Sequence, residues 1–242
     1  MNIIKVKNYE DMSEKACELI VDKLKKLEQP VLGLATGSTP EGFYDRLIDT
    51  YKEGNISFEN TTTFNLDEYV GLSKDDSQSY HYYMNERLFK HINIKEENAH
   101  VPKGDTENLE EECKRYEQLI QDAGGVDLQL LGLGTNGHIA FNEPGSSFQS
   151  RTQVVDLTES TIQANSRFFE RKEDVPTKAV SMGIGSILES DEIVMLVSGE
   201  SKAEALAQMI NGEITEDCPA TALQNHNNVT VIADEAALKK VK

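Results

Sequence analysis

Residues 131–145, LGLGTNGHIAFNEPG, restrict the fold of this chain more than any other stretch. An apolar run over 128–133 enters it and reads as a buried strand. Gly132, Gly134 and Gly137 then release the backbone from the limits that a side chain imposes. His138, Asn142 and Glu143 follow, and Pro144-Gly145 stops any regular element beyond them. A buried strand ending in a permissive loop with proton-moving groups is how an open α/β sheet presents a site at a strand's carboxyl end.

The same stretch matches G-x-G-x-x-G over 132–137, and Asp156 lies about 20 residues further on, where a ribose-binding acid belongs. The dinucleotide reading fails on what comes next. It needs a helix after the third glycine, and Pro144 and Gly145 stand where that helix would run. The glycines are instead expected to let backbone approach a small ligand.

Along the rest of the chain, short buried runs alternate with helical spacing. Ile3-Ile4-Lys5-Val6 reads as an edge strand. Met12, Ala16, Ile20, Leu24 and Leu27 predict a helix over 9–27, and VLGLAT a strand over 31–36. Pro40 suits the first position of a helix that packs through Phe43, Leu47 and Ile48. Thr61, Thr62, Thr63, Phe64 and Leu66 predict a strand. Helices are expected from about Ser79 and over 107–123, the second stopped by Gly124-Gly125. Strands are expected over 152–157, 178–182, 193–197 and 229–233. Helices are expected after Thr158 (carrying Ile162 and Phe168) and over 183–188, 203–210 and 235–241. Alternation of this kind gives an α/β fold with a mainly parallel sheet, and no composition break divides 1–242 into more than one domain.

Three further places carry chemistry-bearing residues. Gly37-Ser38-Thr39 joins a strand to a helix start, the geometry in which free amide groups face an anion; a plain helix cap fits equally well. The absence of Lys after the glycine rules out a nucleotide P-loop. Ser198-Gly199-Glu200-Ser201-Lys202 repeats the arrangement and puts Lys202 in a first turn, where the helix dipole disfavours a cation unless an anion shares the space; an exposed Lys pointing outward fits this feature at least as well. Asp67 and Glu68 end the strand at 61–66, either as a catalytic pair or as solvated loop charges.

With 24 Lys plus Arg against 42 Asp plus Glu, the net charge is −18. Such a field disfavours nucleic acid and anionic membranes, so an anionic substrate needs a local positive site. Cys17, Cys113 and Cys218 are isolated, with neither a zinc spacing nor a disulfide framework. No apolar run approaches membrane-spanning length, and no signal segment is visible. A cytoplasmic protein is expected.

Taken in order, LATGSTPEG (34–42), NLDEYVGL (65–72), GLGTNGHIAFNEP with its SSFQSRT tail (132–152), NSRFF (165–169) and SGESKA (198–203) resemble the glucosamine-6-phosphate deaminase (isomerase) family. The resemblance spans nearly the whole chain, and GHIAFNEP is its most specific string. It implies a three-layer sandwich around a modified Rossmann-like sheet. It also implies conversion of glucosamine 6-phosphate and water to fructose 6-phosphate and ammonia. Asp67 would take the C2 proton and return it at C1. His138 would open the sugar ring, oriented and charge-tuned by Glu143. Gly37, Ser38, Thr39, Arg167 and Lys202 would hold the phosphate. No step requires a metal or another cofactor.

The residues suit these roles on general grounds. Transfer between adjacent carbons needs one rigid base, and ring opening needs a group that accepts and donates near neutrality. Many relatives carry an acid two residues before the histidine, where this chain has Asn136. The amide can hold His138 but adds no charge, so activity with a shifted pH profile is expected. Gln153 and Val155 replace basic residues found in allosteric hexamers, and the chain ends soon after its last strand. No allosteric hexamer is expected. A 6-phosphogluconolactonase needs no base at C2, and a sugar-phosphate sensor would carry a DNA-binding module; both fit the motifs less well. The run RKEDVPT makes 158–177 either a lid bringing Arg167 to the phosphate or an ordinary surface helix carrying an Arg.

Overall fold

The computed structural model describes residues 1–242, apart from the side chains of Ala164 and Phe168. Strand β1 (Asn2–Val6) leads into α1 (Tyr9–Lys26), capped by Asn8, whose side chain accepts from the Asp11 amide. Next come β2 (Val31–Leu34), α2 (Glu41–Lys52), β3 (Thr62–Asn65), β4 (Asp67–Tyr69) and α3 (Tyr80–Arg87). The middle of the chain holds β5 (Ala99–His100), α4 (Leu109–Asp122), β6 (Leu128–Gly132), β7 (Gln153–Asp156) and α5 (Glu159–Asn165). It closes with β8 (Lys178–Ser181), α6 (Ile184–Leu188), β9 (Ile193–Val197), α7 (Ala203–Asn211) and β10 (Val229–Asp234).

Seven strands form one parallel sheet in the order β1-β10-β9-β6-β2-β3-β5. Its central strands are apolar on both faces, and successive residues split between two cores. Val194, Leu196 and Ile232 meet α1, α2 and α3 through Met12, Ile20, Phe43, Leu47 and Met84. Ile193, Met195, Val197 and Val231 meet α4, α6 and α7 through Tyr116, Ile187, Leu206 and Met209. The result is the expected three-layer α/β sandwich. Among the described residues, no helix is long and apolar enough to cross a membrane.

Three readings of the sequence need correction. The strand predicted over 61–66 forms as β3 and ends at Asn65, but the acids beyond it are not in a loop. At Leu66 the chain leaves the parallel sheet, with its amide bonded to Leu34 O and its carbonyl accepting from Met182. It then enters a small antiparallel sheet, β4-β8-β7, where Asp67 pairs with Ser181 and Glu68 with Val180. Asp67 and Glu68 are therefore strand residues, not loop charges. Helix α2 begins at Glu41, with Pro40 as its cap rather than its first residue. Residues 235–241 form turns instead of a helix, tied to β10 by Ala237 N donating to Asp234 Oδ1 at 2.8 Å. The 3-10 stretch Pro219–Asn225 and the two-residue β5 have no periodic signal to reveal them. The Phe168 side chain, expected on the face of α5, lies outside the described residues.

Candidate active site

In the sheet, β2 and β6 are neighbours whose following connections depart in opposite directions, β2 towards β3 and β6 towards β9. Such a switch point opens a crevice at the carboxyl edge. A cavity of about 270 Å³ occupies that edge, walled by Gly37, Ser38, Thr39, Asp67, His138 and Lys202 together with Tyr80 and Phe141.

One wall is the loop after β2. Gly37 takes φ +95, a backbone state open to glycine but costly for other residues. Tyr83 Oη donates to Gly37 O at 2.6 Å and Tyr9 Oη to Ser38 O at 2.9 Å. The carbonyls are thus drawn away. The amides of Gly37, Ser38 and Thr39 have no protein acceptor among the described residues. Lys202 faces this loop from the first turn leading into α7. Its own loop is fixed by Asp234, which accepts from Ser198 Oγ at 2.5 Å and from Gly199 N at 3.1 Å. Burial lowers the Lys202 pKa, and its ammonium forms no ion pair among the described residues. An unpaired, half-buried cation beside free amides is an arrangement that suits an anion.

The loop after β6 supplies the imidazole. Asn136 Nδ2 donates to Glu143 Oε2 at 2.7 Å, which turns Asn136 Oδ1 towards His138 Nδ1, also at 2.7 Å. Nδ1 therefore carries the proton, and Nε2 keeps its lone pair for the cavity. The direct gap from His138 Nδ1 to Glu143 Oε2 is 3.6 Å, so the amide bridges them. Burial lowers the His138 pKa, Glu143 opposes this, and Lys202 adds to it.

Two glycines of this loop make room for neighbouring side chains. A Cβ on Gly134 would lie 2.2 Å from His138 Nδ1, and one on Gly137, at φ +84, 2.4 Å from Cys218 Sγ. Gly132 and Gly134 also line the cavity. Buried Asn142 is a brace, its Nδ2 donating to Ile139 O and Met182 O at 2.9 Å. Ala140, with φ +51, stores local strain between the two.

Asp67 enters from β4 and is 7% exposed. Burial, with Glu68 next to it, raises its pKa to about 8. Glu68 is also buried, and desolvation raises it to about 7 although its carboxylate accepts from the amides of Tyr69, Tyr80 and His81, each at 2.9 Å. Those bonds fasten the start of α3 to β4. Nothing local in the sequence announces them, because the partners lie twelve and thirteen residues along. Tyr80 and Phe141, not singled out from sequence as site residues, join Tyr69 in an aromatic cluster with ring centroids 4.6–6.2 Å apart.

The fold thus gathers Gly37, Ser38, Thr39, Asp67, His138 and Lys202 around one cavity, with Asn136 and Glu143 directly behind the imidazole. Arg167 is not brought there. It is exposed on the 3-10 turn Ser166–Phe168 and does not line the cavity. Asn165, two residues earlier, donates to Tyr69 Oη at 3.0 Å. Among the described residues no cluster of His, Cys, Asp and Glu could hold a metal ion.

Comparison with known proteins agrees with this architecture. The sequence profile of glucosamine-6-phosphate isomerases/6-phosphogluconolactonase matches residues 7–232. The glucosamine-6-phosphate deaminase of Oceanobacillus iheyensis is 54% identical over 241 residues, covering 100% of this chain and 96% of that protein. That of Clostridium perfringens strain 13 is 53% identical over 242 residues and covers both chains fully. The solved structure of a monomeric glucosamine-6-phosphate deaminase superposes with TM-score 0.96 at 51% identity, covering 99% of this chain and 100% of that one. A 6-phosphogluconolactonase from Thermotoga maritima shares the fold at TM-score 0.76 and 23% identity, over 96% of this chain and 98% of its own.

Proposed function

This chain belongs to the family of glucosamine-6-phosphate isomerases and 6-phosphogluconolactonases, and from that premise we propose that it is a glucosamine-6-phosphate deaminase. It converts glucosamine 6-phosphate and water to fructose 6-phosphate and ammonia in amino-sugar breakdown. The observation that carries the reading is the pairing, in one cavity, of a buried carboxylate with a pKa of about 8 and an imidazole whose Nδ1 is committed elsewhere.

The phosphate lies against the amides of Gly37, Ser38 and Thr39 with Lys202 as counter-charge. That arrangement accounts for an unpaired cation in a chain of net charge −18. His138 Nε2 takes the proton of the anomeric hydroxyl and delivers it to the ring oxygen, and the sugar opens to the aldehyde. Asn136 holds the tautomer that this step needs, with Glu143 behind it.

Asp67 then removes the C2 proton and returns it at C1, giving a C2 imine that water hydrolyses to the ketone and ammonia. The base must be ionised. A C2 ammonium next to Asp67 favours the carboxylate, so substrate binding itself lowers the pKa that burial had raised. Arg167 completes the phosphate site when 158–177 closes.

A single chain supplies every side chain in this scheme, and the 51%-identical monomeric deaminase has the same fold. Both support a monomer with hyperbolic kinetics and no activation by N-acetylglucosamine 6-phosphate. The three free, buried cysteines suit a reducing cytoplasm. The deciding experiment measures ammonia and fructose 6-phosphate released from glucosamine 6-phosphate, with 6-phosphogluconolactone as the competing substrate. Equal amounts of both products are expected from the amino sugar. Lactone hydrolysis without ammonia release would overturn the reading.

A further inference from the structure

A second cavity, of about 410 Å³, lies on the other side of the strand that carries Asp67. Side chains alternate along β4, so Asp67 faces the active cavity and Glu68 faces this one. Its walls come from the β4–α3 connection, the residues after β5 and helix α4. They present Lys74, His81, His100, Lys103 and Arg115, with Glu68 and Asp105 as the acids.

The donors here lack acceptors. Elsewhere this acidic chain pairs many of its cations, as in Lys90–Glu86, Lys114–Glu110 and Lys239–Glu200. Around the second cavity, the exposed ammonium groups of Lys74 and Lys103 and the half-buried ring nitrogens of His81 and His100 meet no protein acceptor among the described residues. Arg115 commits Nε and Nη2 to Glu112 at 2.6 and 2.7 Å, which leaves Nη1 over. Glu112 also accepts from Lys103 N at 2.8 Å and so fixes the Lys103 loop against α4.

The acids do not fill the deficit. Glu68 is occupied by three amides, and Asp105 is exposed at the rim. His100 stacks on Phe64 with ring centroids 4.8 Å apart, so its ring is held rather than free to turn away. Burial and then Arg115 lower its pKa, which leaves a neutral imidazole able to donate.

We infer that this cavity binds a small phosphate-bearing molecule, gripped by Lys74, Lys103, Arg115 and the imidazoles of His81 and His100. Several donors converging from different elements suit a tetrahedral oxyanion. The volume exceeds that of the active cavity and leaves room for a carbon skeleton. An occupant lies against Glu68, and added negative charge there holds both β4 carboxyl groups in their protonated forms. It therefore slows turnover. This consequence rests on Asp67 being the base, whereas the binding itself does not.

The chain has five histidines, so ring NMR can follow each one during titration with inorganic phosphate. His81 and His100 are expected to shift along a saturating curve that survives Lys202→Ala. The curve should weaken at least tenfold in the double variant Lys74→Ala/Lys103→Ala. His138 reports on the active cavity and should show the opposite dependence. If His81 and His100 do not move, or move only in step with His138 and stop with Lys202→Ala, the second site does not exist. The coupling is read from kcat at saturating amino-sugar phosphate and pH 7. Phosphate should lower it several-fold in the unmodified enzyme and leave the double variant unchanged. An equal response in both would overturn the coupling. Loss of the proposed activity would show separately, as no ammonia from the unmodified enzyme.

Discussion

His138 and Glu143 stand 3.6 Å apart with the amide of Asn136 between them, accepting from one and donating to the other. A carboxylate's influence on the imidazole is thus delivered through a neutral group. Orientation is retained, while the electrostatic support for a protonated ring is weakened.

Asn136→Asp is expected to raise the His138 ring pKa by up to about one unit, with kcat staying within roughly tenfold. Asn136→Ala removes the orienting bonds and should cost about 10- to 100-fold in kcat. Ring NMR titration and a pH profile measure the two effects. An unmoved His138 titration in Asn136→Asp would show that the bridge does not tune the ring.

With Asp67 as the proposed base, both rate and stability are expected to depend on pH. With a free-enzyme pKa of about 8, kcat/KM should rise with pH up to about 8 and level off above it. The limb in kcat should lie lower, because the bound ammonium favours the carboxylate. Stability runs the other way. The native state holds a proton that the unfolded chain has released, so this contribution is complete below the ordinary carboxylate range near pH 4. It is lost as pH rises through about 8, by up to about 1.4 kcal/mol per pH unit.

Asp67→Asn should therefore abolish solvent exchange at C2 and lower kcat by at least about 100-fold while raising Tm at pH 8. Retained exchange would identify a different base. A lowered Tm at pH 8 would contradict a buried carboxylate destabilised by desolvation.

Lys202→Ala is expected to raise KM by about 10- to 100-fold, corresponding to one lost charge-assisted bond of roughly 1.5–3 kcal/mol, with a smaller change in kcat. Steady-state kinetics at two ionic strengths provide the measurement. A fall in kcat at constant KM would move Lys202 from phosphate binding to the chemical step.

Arg167 is exposed, and the neighbouring Asn165–Tyr69 bond joins its segment to the aromatic cluster at the cavity. Closure predicts that 158–177 loses protease sensitivity when a non-reactive phosphosugar is added, and that Arg167→Ala abolishes this protection and raises KM. Equal cleavage with and without the ligand would rule closure out.

The elements of the site were legible where neighbours in sequence decide the outcome. Apolar runs at 128–133 and 193–197 specified buried strands, and small residues at 37–39 and 198–199 specified loops at their ends. Pro144 excluded the helix that a dinucleotide fingerprint needs. The motifs around Asp67, Asn136, His138 and Glu143 identified the family without any coordinates.

Distant partners decided the rest. The same acids, Asp67 and Glu68, looked solvated because strand propensity ended at Leu66. Pairing with Ser181 and Val180 instead drew them into a second sheet, and burial raised their pKa values. The Asn136 bridge depends on a loop whose fold is set by Gly134, Gly137 and the brace at Asn142. Local pattern determines which element a residue joins. Charge state and hydrogen-bond order depend on what the completed fold packs against it, and one sequence window does not contain those groups.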